Sequence, residues 1–429
     1  VAMASVLMIG FLVLLTIGLP IAFAMGLATI LAIAWHGTLP FSLFAQRALI
    51  GADSYSLLAI PFFILAGNLM NVGGITERIV KFANACVGRF TGGLGLTTVM
   101  SCMVFSGVSG SAVADASALG KVLIPGMKRQ GYDSGFAASV TAAASVMGPI
   151  IPPSIPLVIY GLSVGKGVSV AALFLGGVVP GIALGIGLGI VVYLIAKKRN
   201  YPKHEAVPLR QLVSAAGQAG WALFMPVLIL VGITGGVVTV TESAAIAVLY
   251  AAFVGMVIHR ELTWRNIGPI FVQTALDTAV VMIIIAFASG FGWLMAVSGL
   301  PKAIALWISS ISSDPLVILI LINILLLIVG CFMEAIAAMI ILIPVLIPIV
   351  EAAGIDLVHF GLVMVFNLML GLLTPPVGIL LYICGNFANV RIEAVVKEVI
   401  PFLGVGLIIL ALITVFPSLV LWLPKLVLG

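Results

Sequence analysis

Charge is scarce in this sequence. Of 429 residues only 8% are charged while 63% are hydrophobic, and the mean hydropathy is +1.35. A soluble domain carries about 25% charged and about 45–50% apolar residues, so a water-soluble globule is excluded. Cysteine is scarce too. Cys86, Cys102, Cys331 and Cys384 lie in or beside apolar runs with no metal-ligand spacing, which reads them as small core residues. No phosphate-binding loop of the Walker type occurs. The pI near 9.1 reflects basic loops that orient a membrane protein and does not indicate nucleic acid. The first apolar run lacks a charged n-region, so no cleavable signal peptide is expected.

What the chain has instead is apolar length. About ten runs can cross a ~30 Å hydrocarbon core: roughly 2–16, 18–35, 54–72, 135–164, 168–196, 220–236, 240–258, 268–298, 358–388 and 398–424. Two further regions, 94–126 and 315–350, each hold two apolar arms joined at a polar or glycine-bearing tip. The arms of the first, roughly 12–15 residues or ~20 Å as helix, are too short to span, which predicts a re-entrant hairpin. The stretches 73–90 and 300–314 mix apolar and polar residues at helical spacing and read as interfacial.

With the N-terminus outside and both hairpins returning to their side of entry, 15 basic residues fall in cytoplasmic loops. Only Arg47, Lys166, Lys302 and Lys425 fall outside. That asymmetry sets the expected topology: a periplasmic N-terminus, the first hairpin on the cytoplasmic side and the second on the outer side.

The two halves echo each other. "LMNVGG" (69–74) matches "LMAVSG" (294–299), "VLIPGM" (122–127) matches "ILIPVL" (341–346), "GPIIPPS" (148–154) matches "GLLTPPV" (371–377), and "LPIA" (19–22) sits opposite "TESA" (241–244). This register sets Asp115 opposite Glu334. It divides the chain into a first repeat at 1–200 (hairpin 94–126, broken helix 135–164), a cytoplasmic connector at 201–219, and a second repeat at 220–429 (hairpin 315–350, broken helix 358–388). Five spans per half is odd, so the halves insert in opposite orientations. The expected fold class is an all-α polytopic membrane protein, an inverted repeat with one hairpin and broken helices in each half, the architecture of secondary transporters.

Irregular backbone at membrane depth is tolerated only where it is buried in protein or lines a cavity. In "SGVSGS", Gly107 and Gly110 let the chain turn, while Ser106, Ser109 and Ser111 supply hydroxyls suited to a small cation such as Na⁺; the bland alternative is a tip that packs closely on another helix. Pro149, Pro152, Pro153 and Pro156 break the span 135–164, and "GLLTPPVG" (371–378) breaks 358–388, with Thr374 adding a hydroxyl. Asp115 and Glu334 follow the tips and read either as functional carboxylates or as caps on backbone amides. Glu242 reads as an N-cap-type residue, Asp53 as a cap, Asp277 as a weaker intramembrane candidate, and Lys121 as snorkelling to the interface.

"YSLLAIPFFILAGNLM" (55–70), "FSGVSGSAVADASALG" (105–120), "GPIIPPSIP" (148–156) and "LLTPPVG" (372–378) resemble the large membrane subunit of tripartite ATP-independent periplasmic (TRAP) transporters. "VTVTESAAIAVLYA" (238–251) is similar to the family's Thr-x-Thr-Glu-Ala stretch, with Val240 and Ser243 departing from it. The resemblance covers essentially the whole chain. It implies sodium-driven import of an organic acid, a C4-dicarboxylate or sialic acid, through a bacterial inner membrane. It implies a periplasmic substrate-binding protein and a small four-helix membrane subunit as partners, no cofactor, and at least two Na⁺ as coupling ions. It implies an elevator-type fold related to sodium-coupled dicarboxylate carriers, with a scaffold near 1–35, 168–258 and 398–424. One Na⁺ site would use Ser106, Gly107, Ser109 and Ser111 with Gly148 and Pro149. The other would use Gly330 and Glu334 with Gly371, Thr374 and Pro375. Substrate would meet Ser109, Asp115, Ser154 and Thr374.

Other classes fit less well. "GVSG" (107–110) also fits the Gly-x-Ser-Gly motif of intramembrane serine proteases, but that chemistry needs a histidine base, and His36, His204, His259 and His359 read as loop or span-end residues. No enzyme is expected. A channel would favour a continuous pore lined by several chains. A stand-alone sodium-coupled symporter without a binding protein is the nearest alternative.

Overall fold

The computed structural model describes residues 2–37, 39–165, 167–203, 207–299, 303–304, 314–375 and 377–429. The interfacial stretch expected at 300–314 lies almost wholly outside them, as do Lys166, His204, Lys302 and the second proline of "TPPV".

All regular secondary structure among the described residues is helical, and eight helices are long and apolar enough to cross a membrane. The chain opens with α1 (Ala2–Thr16), α2 (Ile21–His36), α3 (Ser42–Ala52), α4 (Ala59–Val72) and α5 (Ile75–Val87). A hairpin of α6 (Gly93–Ser109) and α7 (Ala112–Arg129) follows, then α8 (Ser134–Ser145) and α9 (Ile155–Val164). Next come α10 (Val170–Lys198), α11 (Leu209–Thr234), α12 (Val240–Phe253) and α13 (Trp264–Val297). A second hairpin, α14 (Pro315–Phe332) and α15 (Ala335–Ala352), leads to α16 (Leu357–Gly371), α17 (Ile379–Ala388), α18 (Ile392–Val415) and α19 (Ser418–Leu428).

The helix pairs α6–α7 and α14–α15 and the interruptions between α8 and α9 and between α16 and α17 lie at the positions expected for the hairpins and broken helices, and α14 and α15 are each long and apolar enough to cross a membrane. The arms of the first hairpin run 17 and 18 residues, about 25 Å as helix, and neither is among the eight candidate spans. The two hairpins enter from opposite ends of the molecule, as the contacts along α18 demonstrate. At its start, Glu398 pairs with Arg199 at 2.9 Å. The base of the first hairpin lies there too: Gly92 donates to the Pro202 carbonyl at 3.2 Å, and the Asp133 amide donates to the Tyr201 hydroxyl at 3.2 Å. At its far end, Thr414 and Pro417 share a cavity with Asp314, Pro315 and Asp356 at the base of the second. Glu398 and Thr414 lie 16 residues apart on this helix, which separates the two bases by about 24 Å.

The middle of the molecule is α8 and α16. Every residue from Gly135 to Ser145 and from His359 to Gly371 is buried. The alanines and serines of "FAASVTAAAS" let neighbouring backbones approach closely, as lipid-embedded helices require. The serine and threonine hydroxyls there donate within the helix, Ser139 to Gly135 at 2.7 Å and Thr141 to Ala137 at 2.8 Å. The outer faces are apolar instead, with Leu12, Trp35, Val227, Leu249 and Ile408 exposed, as a hydrocarbon surround demands.

Several expectations need correction. Helix α11 begins at Leu209, so residues assigned to a connector ending at 219 are its first turns; Pro208 presets the helical start. The single span expected at 398–424 is two helices, because Pro417 removes an amide donor after Val415. Helix α3 has no counterpart among the apolar runs because its stretch is less apolar than α2 and α4. Asp53 stands at the C-cap of α3, its amide donating to the Leu49 carbonyl at 2.9 Å, rather than at the start of the following span, where the next turn begins at Ser54 without a side-chain cap. Glu242 is the third residue of a capping box whose cap is Thr239.

Candidate functional site

At the first tip, helix α6 ends at Ser109 because Gly110 takes a left-handed conformation, φ +61°. Ser111 then caps α7, accepting from the Ala114 amide at 3.4 Å. A Cβ on Gly110 would meet the Pro153 carbonyl oxygen at 2.7 Å, so the tip rests directly on the break between α8 and α9. Only a residue free of both the φ restriction and the Cβ fits here.

Asp115, one turn into α7, is fully buried. It does not cap a helix. Its carboxylate accepts from Ser106 Oγ at 3.3 Å and from the Ser109 hydroxyl. Gly148 of the facing break lies against it: a Cβ there would fall 2.6 Å from Asp115 Oδ2 and 3.1 Å from the Ser111 carbonyl oxygen. The structure therefore brings Ser106, Ser109, Ser111, Asp115 and Gly148 together. Gly107 faces elsewhere, toward Pro226 of α11, whose Cγ a Cβ would meet at 2.6 Å. Ser154 caps α9, accepting from Leu157 N at 3.2 Å, and its hydroxyl donates to the Pro149 carbonyl.

The second tip is built differently. Glu334 is the N-cap of α15, accepting from the Ala337 amide at 3.0 Å. Gly330 and Gly371 touch backbone to backbone, and Thr374 donates to the Leu370 carbonyl at 2.8 Å. Pro375 is exposed. The helix starts have a different spacing from the one that sets Asp115 opposite Glu334: Ala112 and Ala335 are 223 residues apart, as are Ser134 and Leu357. At that spacing Glu334 corresponds to Ser111, both of them caps, and Asp115 corresponds to Ala338. The short match "VLIPGM" to "ILIPVL" lies four residues out of this register.

The four irregular segments converge. A small cavity of about 50 Å³ is lined by Gly110 and Ser111 of the first tip, Pro149 and Pro156 of the first break, Glu334 of the second tip, and Met369 and Leu372 at the second break. Beside it, a cavity of about 430 Å³ is lined by residues of the first tip, α4 and α13. Ser109, Ser111 and Ser117 line one wall; Asn68, Asn71, Gln273 and Asp277 line the other. Asn68, Asn71 and Gln273 were not singled out from the sequence. Their signal is spacing: Asn68 and Asn71 are three apart, Gln273 and Asp277 four apart, so each pair puts polar groups on one face of an apolar helix.

A family model described as "Tripartite ATP-independent periplasmic transporter, DctM component" matches residues 8–419. The chain is 42% identical over 420 residues to the sialic acid TRAP transporter large permease protein SiaM of Vibrio cholerae, covering 98% of each chain. It is 38% identical over 374 residues to the C4-dicarboxylate TRAP transporter large permease protein DctM of Pseudomonas aeruginosa, 87% of each. Among solved structures it is similar to the YdaH transporter of Alcanivorax borkumensis, with a TM-score of 0.62 over 90% of this chain and 89% of that one. At 15% identity that likeness concerns the fold alone.

Proposed function

This chain belongs to the DctM family of TRAP transporters as a multi-pass large permease protein, and from that premise we propose that it imports an organic acid against its gradient by coupling to Na⁺. The observation that carries the reading is the convergence of two hairpin tips and two helix breaks on one cavity, with Ser111 and Glu334 in its lining. Hydroxyl, carbonyl and carboxylate oxygens at broken helices are ligands that can replace the water shell of a small hard cation. Asp115 and its two serine partners supply a buried acceptor cluster next to the same tip. A bound Na⁺ would order the tip, and the substrate would then sit in the adjoining cavity of about 430 Å³. As in its relatives' names, sialic acid and C4-dicarboxylates are the substrate classes to test first.

The hairpins and broken helices form the moving body in this reading, and the two halves are inverted repeats. A second cavity, about 500 Å³, supports it. That cavity lies along the same helix α13, at Ile285 and Ser289 rather than Gln273 and Asp277. Sliding the tip along α13 would expose it to one cavity and then the other. A periplasmic binding protein delivers the substrate and a small membrane subunit braces the scaffold; the chain sits in the inner membrane with its N-terminus outside. Uptake into vesicles carrying the permease complex and its binding protein tests the coupling. Equal uptake with Na⁺ replaced by K⁺, at the same membrane potential, sinks it, and full uptake without any binding protein points to a stand-alone symporter instead.

A further inference from the structure

The cavity of about 430 Å³ has a single charged lining residue, Asp277, and no lysine or arginine. Resting on the transport reading above, we infer that Asp277 selects the substrate class: the site takes a monoanionic acid carrying several hydroxyls and rejects a dianion.

Asp277 is held in place from its own wall. Its Oδ1 accepts from Gln273 Nε2 at 2.8 Å, and its Oδ2 lies 3.5 Å from Asn68 Nδ2, which also donates to Thr274 Oγ1 at 3.1 Å. It lies 13 residues into the 34-residue helix α13, far from either end. Helix capping therefore does not account for it, and a carboxylate at such depth is expensive unless it serves a partner. A substrate's own carboxylate is best placed on the opposite wall, where the hydroxyls of Ser111 and Ser117 can donate to it, the Ser109 hydroxyl already donating to Asp115.

What then faces Asp277 must tolerate an acid. A second carboxylate does not: no cation lines the cavity to pair it, and two like charges in a partly enclosed site repel strongly. Substrate hydroxyls do, because each donates a hydrogen bond to the carboxylate and exchanges further bonds with the amides of Asn68 and Asn71. A site built of such groups also discriminates against an analogue that leaves them unpaired. The volume agrees, since sites that enclose ligands span about 300–1,000 Å³, more than a four-carbon diacid needs.

The test is competition binding on the reconstituted permease complex in NaCl, with radiolabelled sialic acid and D-gluconate as hydroxylated monoanions and succinate as the dianion. In the wild type succinate should compete about 30-fold or more less well than either monoanion. Asp277→Asn, which removes the charge and keeps the shape, should narrow that ratio by about tenfold, while Asp277→Glu should retain it. A purely structural role would lower affinity for all three probes together and leave the ratio unchanged. The inference is overturned if succinate competes as well as the monoanions, if Asp277→Asn leaves the ratio intact, or if neither monoanion binds. A Na⁺-induced rise in melting temperature, recorded on the same preparation without substrate, reads the coupling sites separately. Its absence would sink the transport reading itself.

Discussion

A Cβ added to Gly371 would lie 2.6 Å from both the Cα and the carbonyl carbon of Gly330. The end of α16 and the last turn of α14 are pressed together backbone against backbone, and neither side can yield by rotating a side chain. Gly371→Ala should therefore cost about 1–3 kcal/mol and lower the melting temperature in detergent, with uptake reduced in parallel. Gly404→Ala, on an open face of α18 with nothing within 4 Å, is the control and should be neutral. Wild-type stability for Gly371→Ala would mean the close contact is absent in the protein.

Ser109→Ala removes the hydroxyl that bonds buried Asp115. A lost partner of that kind costs about 1–3 kcal/mol, which as ion affinity is about 5–150-fold. The Na⁺ titration of uptake should move to higher concentration by that order, and Thr374→Ala should act in the same direction. Ser214→Ala, exposed on α11, should leave the titration alone. Unchanged titrations in both tip variants would make the tips structural turns.

The loop at 199–203 joins the base of the first hairpin through Pro202 and Tyr201 and carries the basic residues Arg199 and Lys203. Lys203→Cys in this exposed segment should resist an impermeant thiol reagent added from the periplasmic side and react once the membrane is opened. Ready labelling of intact cells, above the wild-type background, would invert the proposed topology.

Asn367 Nδ2 donates to the Asn323 carbonyl at 3.0 Å and to its Oδ1 at 2.7 Å, and Asn323 Nδ2 donates to Thr414 Oγ1 at 2.9 Å. This buried chain ties α14, α16 and α18 together. Hydrogen bonds between membrane helices contribute about 0.6–2 kcal/mol each. Asn323→Ala should lower thermal stability by that order per bond lost while membrane insertion stays normal; an unchanged melting curve would show the network to be idle.

His259 follows the helical segment after α12, with Nδ1 3.0 Å from the Gly73 carbonyl oxygen. Burial holds its pKa below the ordinary value near 6.5, and the nearby Arg78 guanidinium adds to that. The unfolded chain therefore takes up the proton first, so this contribution to stability is present above about pH 6.5 and is lost as pH falls below it. His259→Gln should flatten the acid side of the stability profile between about pH 5 and 7. A profile identical to wild type would place the loss on other groups.

Composition and apolar run length determined most of the architecture. The membrane class, the two hairpins and the two helix breaks follow from local properties, because hydrocarbon permits only segments that satisfy their own backbone. Their serines, glycines and prolines are visible wherever that requirement is relaxed. The site itself was legible only in part. Sequence identified Ser109 and Asp115 but not that one bonds the other. It paired Asp115 with Glu334, where the helix starts pair Glu334 with Ser111. Asn68 and Asp277 meet across 209 residues of chain, in a wall facing the first tip. No local period encodes that meeting. Packing of helices against one another decides which polar faces confront each other, and only the folded chain brings those distant faces within hydrogen-bonding reach.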